Sequence, residues 1–64
     1  MKILVDVVRE KKGVSQKGLA EKSGIARSHL QKIESGISMP TIRTICKIAR
    51  ALGVSPEELY SCKE

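Results

Sequence analysis

The stretch SQKGLAEKSGIARSHLQKIES, residues 15–35, contains two short helical patterns separated by a break at residues 23–25. Ser15 is a good N-cap for the first helix, although Gly18 stands where a capping-box glutamate would strengthen that helix start. Only about three residues join the two helices, and a turn of this length containing glycine is typical of a helix-turn-helix. We therefore predict this motif at about residues 15–35.

The second helix of this motif has an apolar side and a polar side. Successive residues turn by about 100°, which places Ala26, Leu30 and Ile33 together on the predicted core face. The opposite surface carries no acid, with Ser28, Gln31, Lys32 and Ser35 pointing outward and Arg27 and His29 flanking them. Arginine, glutamine, serine and lysine are residue types that contact base edges, so we favour nucleic-acid recognition over a merely solvated face.

Glu34 is the exception on this helix, because it falls closer to the core side than to the outward side. A partly buried carboxylate requires a partner. Arg9, late in the first predicted helix, has the fork geometry for a bidentate bond to it. We predict an ion pair that joins the first helix to the third and keeps the negative charge away from phosphate.

Three more helices complete the prediction. The first covers about residues 2–12 and ends at Gly13. The fourth starts after Thr41 as N-cap, and its apolar positions keep helical spacing at Ile42, Ile45, Ile48, Ala49 and Leu52. The last starts with a capping box at residues 55–58. The expected fold is all-α, a compact five-helix domain that forms a single unit over residues 1–64.

Composition limits the classes of function. The 64 residues include no Trp or Phe and one Tyr, so the core must be aliphatic, which suits crossing helices. Twelve Lys and Arg against seven Asp and Glu give a net charge of +5, which suggests a polyanionic partner. Nucleic acid and an anionic membrane surface both remain open, as does a basic surface that only keeps the protein soluble.

Other features argue against catalysis and against a membrane protein. The chain has one His, no set of nucleophile, base and orienting group, and no glycine-rich phosphate loop, so we expect no enzyme activity, cofactor or metal. No apolar run is long enough for a transmembrane segment or signal peptide, and we expect the cytoplasm. Cys46 and Cys62 are interpreted as free thiols, with Cys46 partly buried.

Two longer stretches, VREKKGVSQKGLAEKSGIARSHLQKIESG at residues 8–36 and PTIRTICKIARALGVSPEELY at residues 40–60, resemble the Cro/C1-type (XRE) helix-turn-helix regulators. The resemblance covers about residues 5–60. It implies a lambda-repressor-like DNA-binding domain. It further implies a sequence-specific transcriptional regulator, a repressor, that binds double-stranded DNA as a homodimer. The expected binding site is a pseudo-palindromic operator, and the expected location is the nucleoid. No small-molecule effector is evident from the sequence.

The resemblance also implies roles for individual residues. Base readout falls to Arg27, Ser28 and Lys32, and the helical wheel adds Gln31. Phosphate contacts fall to Gln16 and its neighbour Lys17, to His29 and Ser35 beside the reading surface, and to Thr41 and Arg43. The pair of Arg9 and Glu34 matches the internal ion pair of the family, and Leu59 and Tyr60 match the dimer contact on the last helix.

The sequence departs from the family pattern at two places, and a second class of function is open beside the regulator. Gly18 replaces a frequent glutamate, and the loop after the reading helix has Ile37 and Met39 where a basic residue is common. With those apolar residues, either the loop binds DNA phosphates more weakly than in the family, or the side chains contact the second copy in a dimer. The alternative is a protein-interaction adaptor, or an antitoxin-like module, that uses the same fold.

Overall fold

Within residues 2–62, which the computed structural model describes, the chain forms four α-helices, one 3₁₀ helix and a sheet of two short strands. In chain order they are β1 (Lys2–Ile3), α1 (Val5–Lys11), α2 (Gln16–Ser23), α3 (Arg27–Glu34), α4 (Ile42–Leu52), the 3₁₀ helix (Pro56–Leu59) and β2 (Tyr60–Ser61). The strands pair antiparallel, with Ile3 opposite Tyr60.

Local sequence explains most of the helix boundaries. The Ser15 hydroxyl accepts a hydrogen bond from the Gly18 amide at 3.0 Å and so caps α2. Gly24 ends α2 with a φ of 74°, in the left-handed region that costs other residues backbone strain. The Thr41 hydroxyl caps α4 by accepting from the Thr44 amide at 3.2 Å. Gly24 thus sets the short turn between α2 and α3, and the two hydroxyl caps set the starts of α2 and α4.

The core is entirely aliphatic and draws on every helix. Its fully buried side chains are Val5, Leu19, Leu30, Ile33, Ile48 and Leu59. Burying each contributes about 1.5 to 3 kcal/mol relative to leaving it exposed. Because α3 contributes Leu30 and Ile33 and packs against both α1 and α2, its opposite side faces away from the protein.

The structure does not confirm five α-helices, and it differs from the prediction at both ends of the chain. Residues 2–3 form β1 instead of the first turn of α1, because they pair with β2, and the Leu4 amide also donates to the Leu59 carbonyl at 2.8 Å. The last segment makes one 3₁₀ turn and then becomes extended, with Tyr60 at φ −149° and ψ 159°. The partner of each strand lies at the other end of the chain, so local periodicity did not reveal it.

Three residues predicted to be buried are exposed. Ala26 lies before α3 in extended backbone, as its N-cap, and therefore does not belong to the apolar side of that helix. Ile42 keeps 70% of its surface exposed at the first position of α4. Cys46 is also exposed, and so is Cys62. Both cysteines are free thiols, as predicted.

No helix within residues 2–62 has the length and apolar character needed to cross a lipid bilayer.

Candidate nucleic-acid interface

The outward side of α3 is a continuous polar surface without a free acid. The side chains of Arg27, Ser28, His29, Gln31 and Lys32 are all exposed, as is Ser35 immediately after the helix. We call these six residues the reading face. The acidic residue of α3, Glu34, has only 8% of its side chain exposed. The reading face therefore presents positive charge and hydrogen-bonding groups together, which is the combination that contacts with base edges require.

Glu34 is neutralised by Arg9 across the interface between α1 and α3. The Arg9 Nε donates to Glu34 Oε2 at 3.0 Å, and Nη2 donates to Oε1 at 3.1 Å. Arg9 is itself only 13% exposed, and its Nη1 donates to the Val14 carbonyl at 2.9 Å. The hydrogen bond to Glu34 raises the pKa of Arg9 above its ordinary value although burial lowers it. The predicted ion pair is thus present and bidentate.

Gln16 joins this pair, which sequence reasoning missed. Its Nε2 donates to Glu34 Oε1 at 3.1 Å, so the first residue of α2 is bonded to the last residue of α3. Gln16 and Glu34 are 18 positions apart, and no spacing in the sequence predicts the contact. The second N–H of the same amide is left for another acceptor. Glu34 therefore orients Gln16 at the N-terminus of α2, where the resemblance expects a phosphate contact.

The N-termini of α2 and α4 both present free backbone donors. Within residues 2–62, the amides of Gln16 and Lys17 donate to no acceptor, and neither do those of Ile42 and Arg43. First-turn amides have no partner inside their own helix, and the helix dipole makes their surroundings favourable for an anion. Each terminus is therefore suited to accept one phosphate group.

The remaining residues predicted to contact phosphate are all at the surface. Lys17, Thr41 and Arg43 are exposed around the two helix N-termini. Ser35 uses its hydroxyl to donate to the Lys32 carbonyl at 3.2 Å, which leaves its oxygen lone pairs but not its proton for a ligand. Phosphate oxygens accept but do not donate, so Ser35 is the weakest of these candidates in the present geometry.

The loop from α3 to α4, taken together with the first residue of α4, is unusually apolar for a surface segment. Ile37 is 78% exposed, Met39 is 63% exposed and Ile42 is 70% exposed. No acid occurs between residues 35 and 44, and Arg43 lies next to this apolar group. The loop therefore combines apolar contact area with positive charge beside the N-terminus of α4.

The two residues predicted at a dimer contact occupy different environments. Leu59 has no exposed surface and belongs to the core of this chain. A side chain without exposed surface has nothing to offer a second copy, so Leu59 is corrected to a core residue. Tyr60 is partly buried in β2 and borders a surface groove with Val7 and Lys11.

The described residues contain no grouping of three or more His, Cys, Asp or Glu side chains that is suited to a metal ion.

Comparison with known proteins gives one family and several relatives. The family model HTH_3, described as helix-turn-helix, matches residues 8–59. The chain is 42% identical over 52 residues to an HTH-type transcriptional regulator of Mycobacterium tuberculosis, which covers 81% of this chain and 37% of that protein. It is 36% identical over 61 residues to the cryptic phage CTXphi transcriptional repressor RstR of Vibrio cholerae, covering 92% of this chain and 54% of the repressor.

A solved structure has the same fold over almost the whole chain. The restriction-modification controller protein C.AhdI from Aeromonas hydrophila superposes with a TM-score of 0.83 at 38% identity, covering 88% of this chain and 85% of the controller. The present chain spans little more than a third of the length of the mycobacterial relative and about half of the phage repressor. The similarity to those two proteins is therefore confined to one part of each.

Proposed function

The chain belongs to the helix-turn-helix family HTH_3, of the Cro/C1 type, and from this premise we propose that it is a sequence-specific, double-stranded DNA-binding transcriptional regulator. The observation that carries the proposal is the reading face of α3, which is exposed and free of acid because Glu34 is held by Arg9 and Gln16. Relatives that are named transcriptional regulators and a repressor support the same function.

In this proposal α3 enters the major groove. Arg27 lies at the first position of the helix, where its guanidinium can fork onto O6 and N7 of guanine. Gln31 lies one turn later and has the amide that suits adenine, and Ser28 and Lys32 complete the base contacts. The helix has eight residues, and these four positions lie in its first two turns.

Phosphate contacts on both sides of α3 hold it in register. The free amides at the start of α2, with Gln16 and Lys17, bind one backbone, and those at the start of α4, with Thr41 and Arg43, bind the other. His29, at the edge of the reading face, is a further phosphate contact, and Ser35 becomes one only if its hydroxyl leaves the Lys32 carbonyl. These contacts supply affinity without sequence preference, since every nucleotide presents the same phosphate.

We also propose that the regulator acts as a homodimer on a pseudo-palindromic operator and that it represses. Two copies would place their α3 helices about 34 Å apart, one turn of B-form DNA. The folded chain measures 31 × 22 × 20 Å, so two copies side by side have dimensions compatible with this separation.

Two matched substitutions test the proposal on duplexes selected from a random pool. Arg27→Ala should weaken binding to the selected sequence by about 1 to 3 kcal/mol, because it removes base contacts. Binding to random duplex should be nearly unchanged. Arg43→Ala should weaken binding to all duplexes alike. It should also reduce the magnitude of the slope of log K, the association constant, against log salt concentration by about 0.9, which is the effect of one phosphate contact. If the parent protein binds no duplex at low salt, the proposed function is wrong.

A second candidate function rests on the exposed apolar loop. Ile37, Met39 and Ile42 offer contact area that an adaptor would use to bind another protein. Duplex binding distinguishes the candidates, and Met39→Ser is a suitable variant for the comparison because Met39 is exposed and its loss leaves the core intact. A DNA-binding regulator with that change should retain salt-dependent duplex binding. An adaptor should show no such binding before or after the change.

A further inference from the structure

A cleft lined by positive charge lies between the end of α2 and one side of α4. Its volume is about 450 Å³. Four cations border it, one from α2 and three from α4, and they are Lys22, Arg43, Lys47 and Arg50. Within residues 2–62, no acid and no residue of the reading face lines it. We call this the basic cleft.

The protein does not neutralise the cations of the basic cleft by itself. All four are exposed, and within residues 2–62 none of them forms a salt bridge or a side-chain hydrogen bond. Arg43, Lys47 and Arg50 follow one another at spacings of four and three residues, so they lie on one side of α4, where like charges repel. An anion in the basic cleft relieves this repulsion in addition to being attracted.

The rest of the lining is small and offers a ligand little besides charge. It consists of Ser23, Cys46 and Ala51. The Ser23 hydroxyl donates to the Leu19 carbonyl at 2.7 Å, so its proton is not available to a ligand. Binding of a protein segment depends on large anchors that fill pockets, and this lining has no large apolar side chain to receive one. The basic cleft therefore favours a compact anion over an acidic stretch of protein.

The length of the basic cleft indicates more than one anionic group. Arg43 and Arg50 are separated by about 10 Å along the axis of α4. A phosphate bound at the free amides of the α4 N-terminus lies beyond the first turn, at the Arg43 end of the cleft. One such group cannot neutralise both ends.

We propose that the basic cleft binds a small anion that carries two or more phosphate groups. Guanidinium groups bind phosphate oxygens in a bidentate manner, and lysine ammonium groups bind them as point charges. The volume of the cleft lies within the range of about 300 to 1,000 Å³ that is usual for small-molecule sites. No such ligand was evident from the sequence, because the four cations come from two helices that are separate along the chain. This inference goes beyond the proposed function and does not depend on it.

Two pairs of lysine substitutions test the site with inorganic tripolyphosphate as the probe. Lys22→Gln combined with Lys47→Gln removes one cation from each side of the cleft and should weaken binding by about tenfold or more. Lys11→Gln combined with Lys12→Gln removes the same net charge at exposed positions that do not line the cleft. This control should stay within about twofold of the parent, because salt at about 0.15 M screens exposed charges beyond about 8 Å. Isothermal titration calorimetry at that salt concentration measures both dissociation constants.

The two free cysteines locate the bound anion in the parent protein. Both thiols are exposed, but Cys46 lines the basic cleft and Cys62 does not. Saturating tripolyphosphate should slow alkylation of Cys46 by iodoacetamide by about threefold or more, because it covers the thiol and places negative charge beside the thiolate. Alkylation of Cys62 should change by less than about 1.5-fold. Mass spectrometry of the alkylated peptides measures both rates, and this comparison holds even if a variant does not fold.

Orthophosphate should bind at least about tenfold more weakly than tripolyphosphate, since one phosphate group reaches only part of the cleft. Equal binding of the two anions would overturn the inference. Equal losses in the two pairs of variants, or equal protection of the two cysteines, would also overturn it, because net charge alone would then attract the anion.

Duplex DNA presents the same phosphate chemistry, and duplex as the occupant of the basic cleft is a third result that would overturn the inference. The combined Lys22 and Lys47 variant would then bind tripolyphosphate as the parent does but would weaken duplex binding as strongly as Arg43→Ala. If the inference holds, the same variant should lose tripolyphosphate binding and weaken duplex binding less than Arg43→Ala does.

Discussion

Replacing Glu34 by glutamine should show how much of the fold depends on the contact between α1, α2 and α3. The carboxylate accepts two hydrogen bonds from Arg9 and one from Gln16, at 3.0 to 3.1 Å, with 8% of its side chain exposed. Glutamine keeps the shape but removes the charge. It also replaces one carboxylate oxygen, an acceptor, by an NH₂ group, which is a donor. That NH₂ group would face the N–H donors of Arg9 or Gln16, so at least one of these hydrogen bonds is lost.

Removing one member of a buried ion pair costs about 3 to 5 kcal/mol, because the other charge stays buried without compensation. Arg9 is 13% exposed and keeps its bond to the Val14 carbonyl, so we expect the lower end, about 3 kcal/mol. A domain of this size has a free energy of unfolding of roughly 3 to 10 kcal/mol. At about 4 to 8 °C for each kcal/mol, Tm should fall by about 12 to 24 °C.

Urea unfolding followed by circular dichroism measures this loss. Glu21→Gln is the matched control, because Glu21 is exposed on α2 and should change the unfolding free energy by no more than about 0.5 kcal/mol. Replacing Arg9 by methionine and Glu34 by leucine together should recover most of the loss, since no buried charge then remains. If Glu34→Gln unfolds within about 0.5 kcal/mol of the parent, the ion pair does not stabilise the fold as we argue.

Two further predictions concern the helix boundaries that place α3 and α4. Gly24→Ala should cost about 1 to 2 kcal/mol of stability in urea, because its φ of 74° strains a residue with a Cβ even though no atom lies within 4 Å of that Cβ. An unchanged urea midpoint would show that this turn relaxes without cost. Thr41→Ala removes the cap of α4 and should cost about 1 kcal/mol, and Thr41→Ser, which keeps the hydroxyl, should restore most of it. Equal losses in both variants would mean that the methyl group, not the cap, contributes the stability.

The elements that the sequence predicted well are those whose causes are local. The helix-turn-helix at about residues 15–35 follows from capping residues and from Gly24, whose left-handed backbone conformation is one that few other residues adopt. The buried positions Leu30 and Ile33 follow from helical periodicity, and the exposed reading face follows from the same wheel. The sequence also predicted the ion pair between Glu34 and Arg9, because a carboxylate near the core needs a cation and Arg9 was available on the first helix.

The elements that were missed depend on contacts between distant parts of the chain. β1 forms because β2 lies beside it, and residues 2–3 alone contain no signal that distinguishes a strand from the start of α1. Ala26 and Ile42 were assigned to buried faces by periodicity, but each lies at a helix start where the chain is still turning toward the core. The hydrogen bond from Gln16 to Glu34 depends on how α2 crosses α3, which the spacing along one helix does not contain.

The sequence by itself determined the helix-turn-helix, the aliphatic core and the composition of the reading face, because capping, periodicity and charge act within a few residues. Only the tertiary structure decided that Glu34 orients Gln16 and that both ends of the chain form one small sheet. It also decided that Lys22 and Arg50 border the same cleft. Each of these arrangements joins residues from separate elements, and their distances are set by packing of the core, not by any local preference.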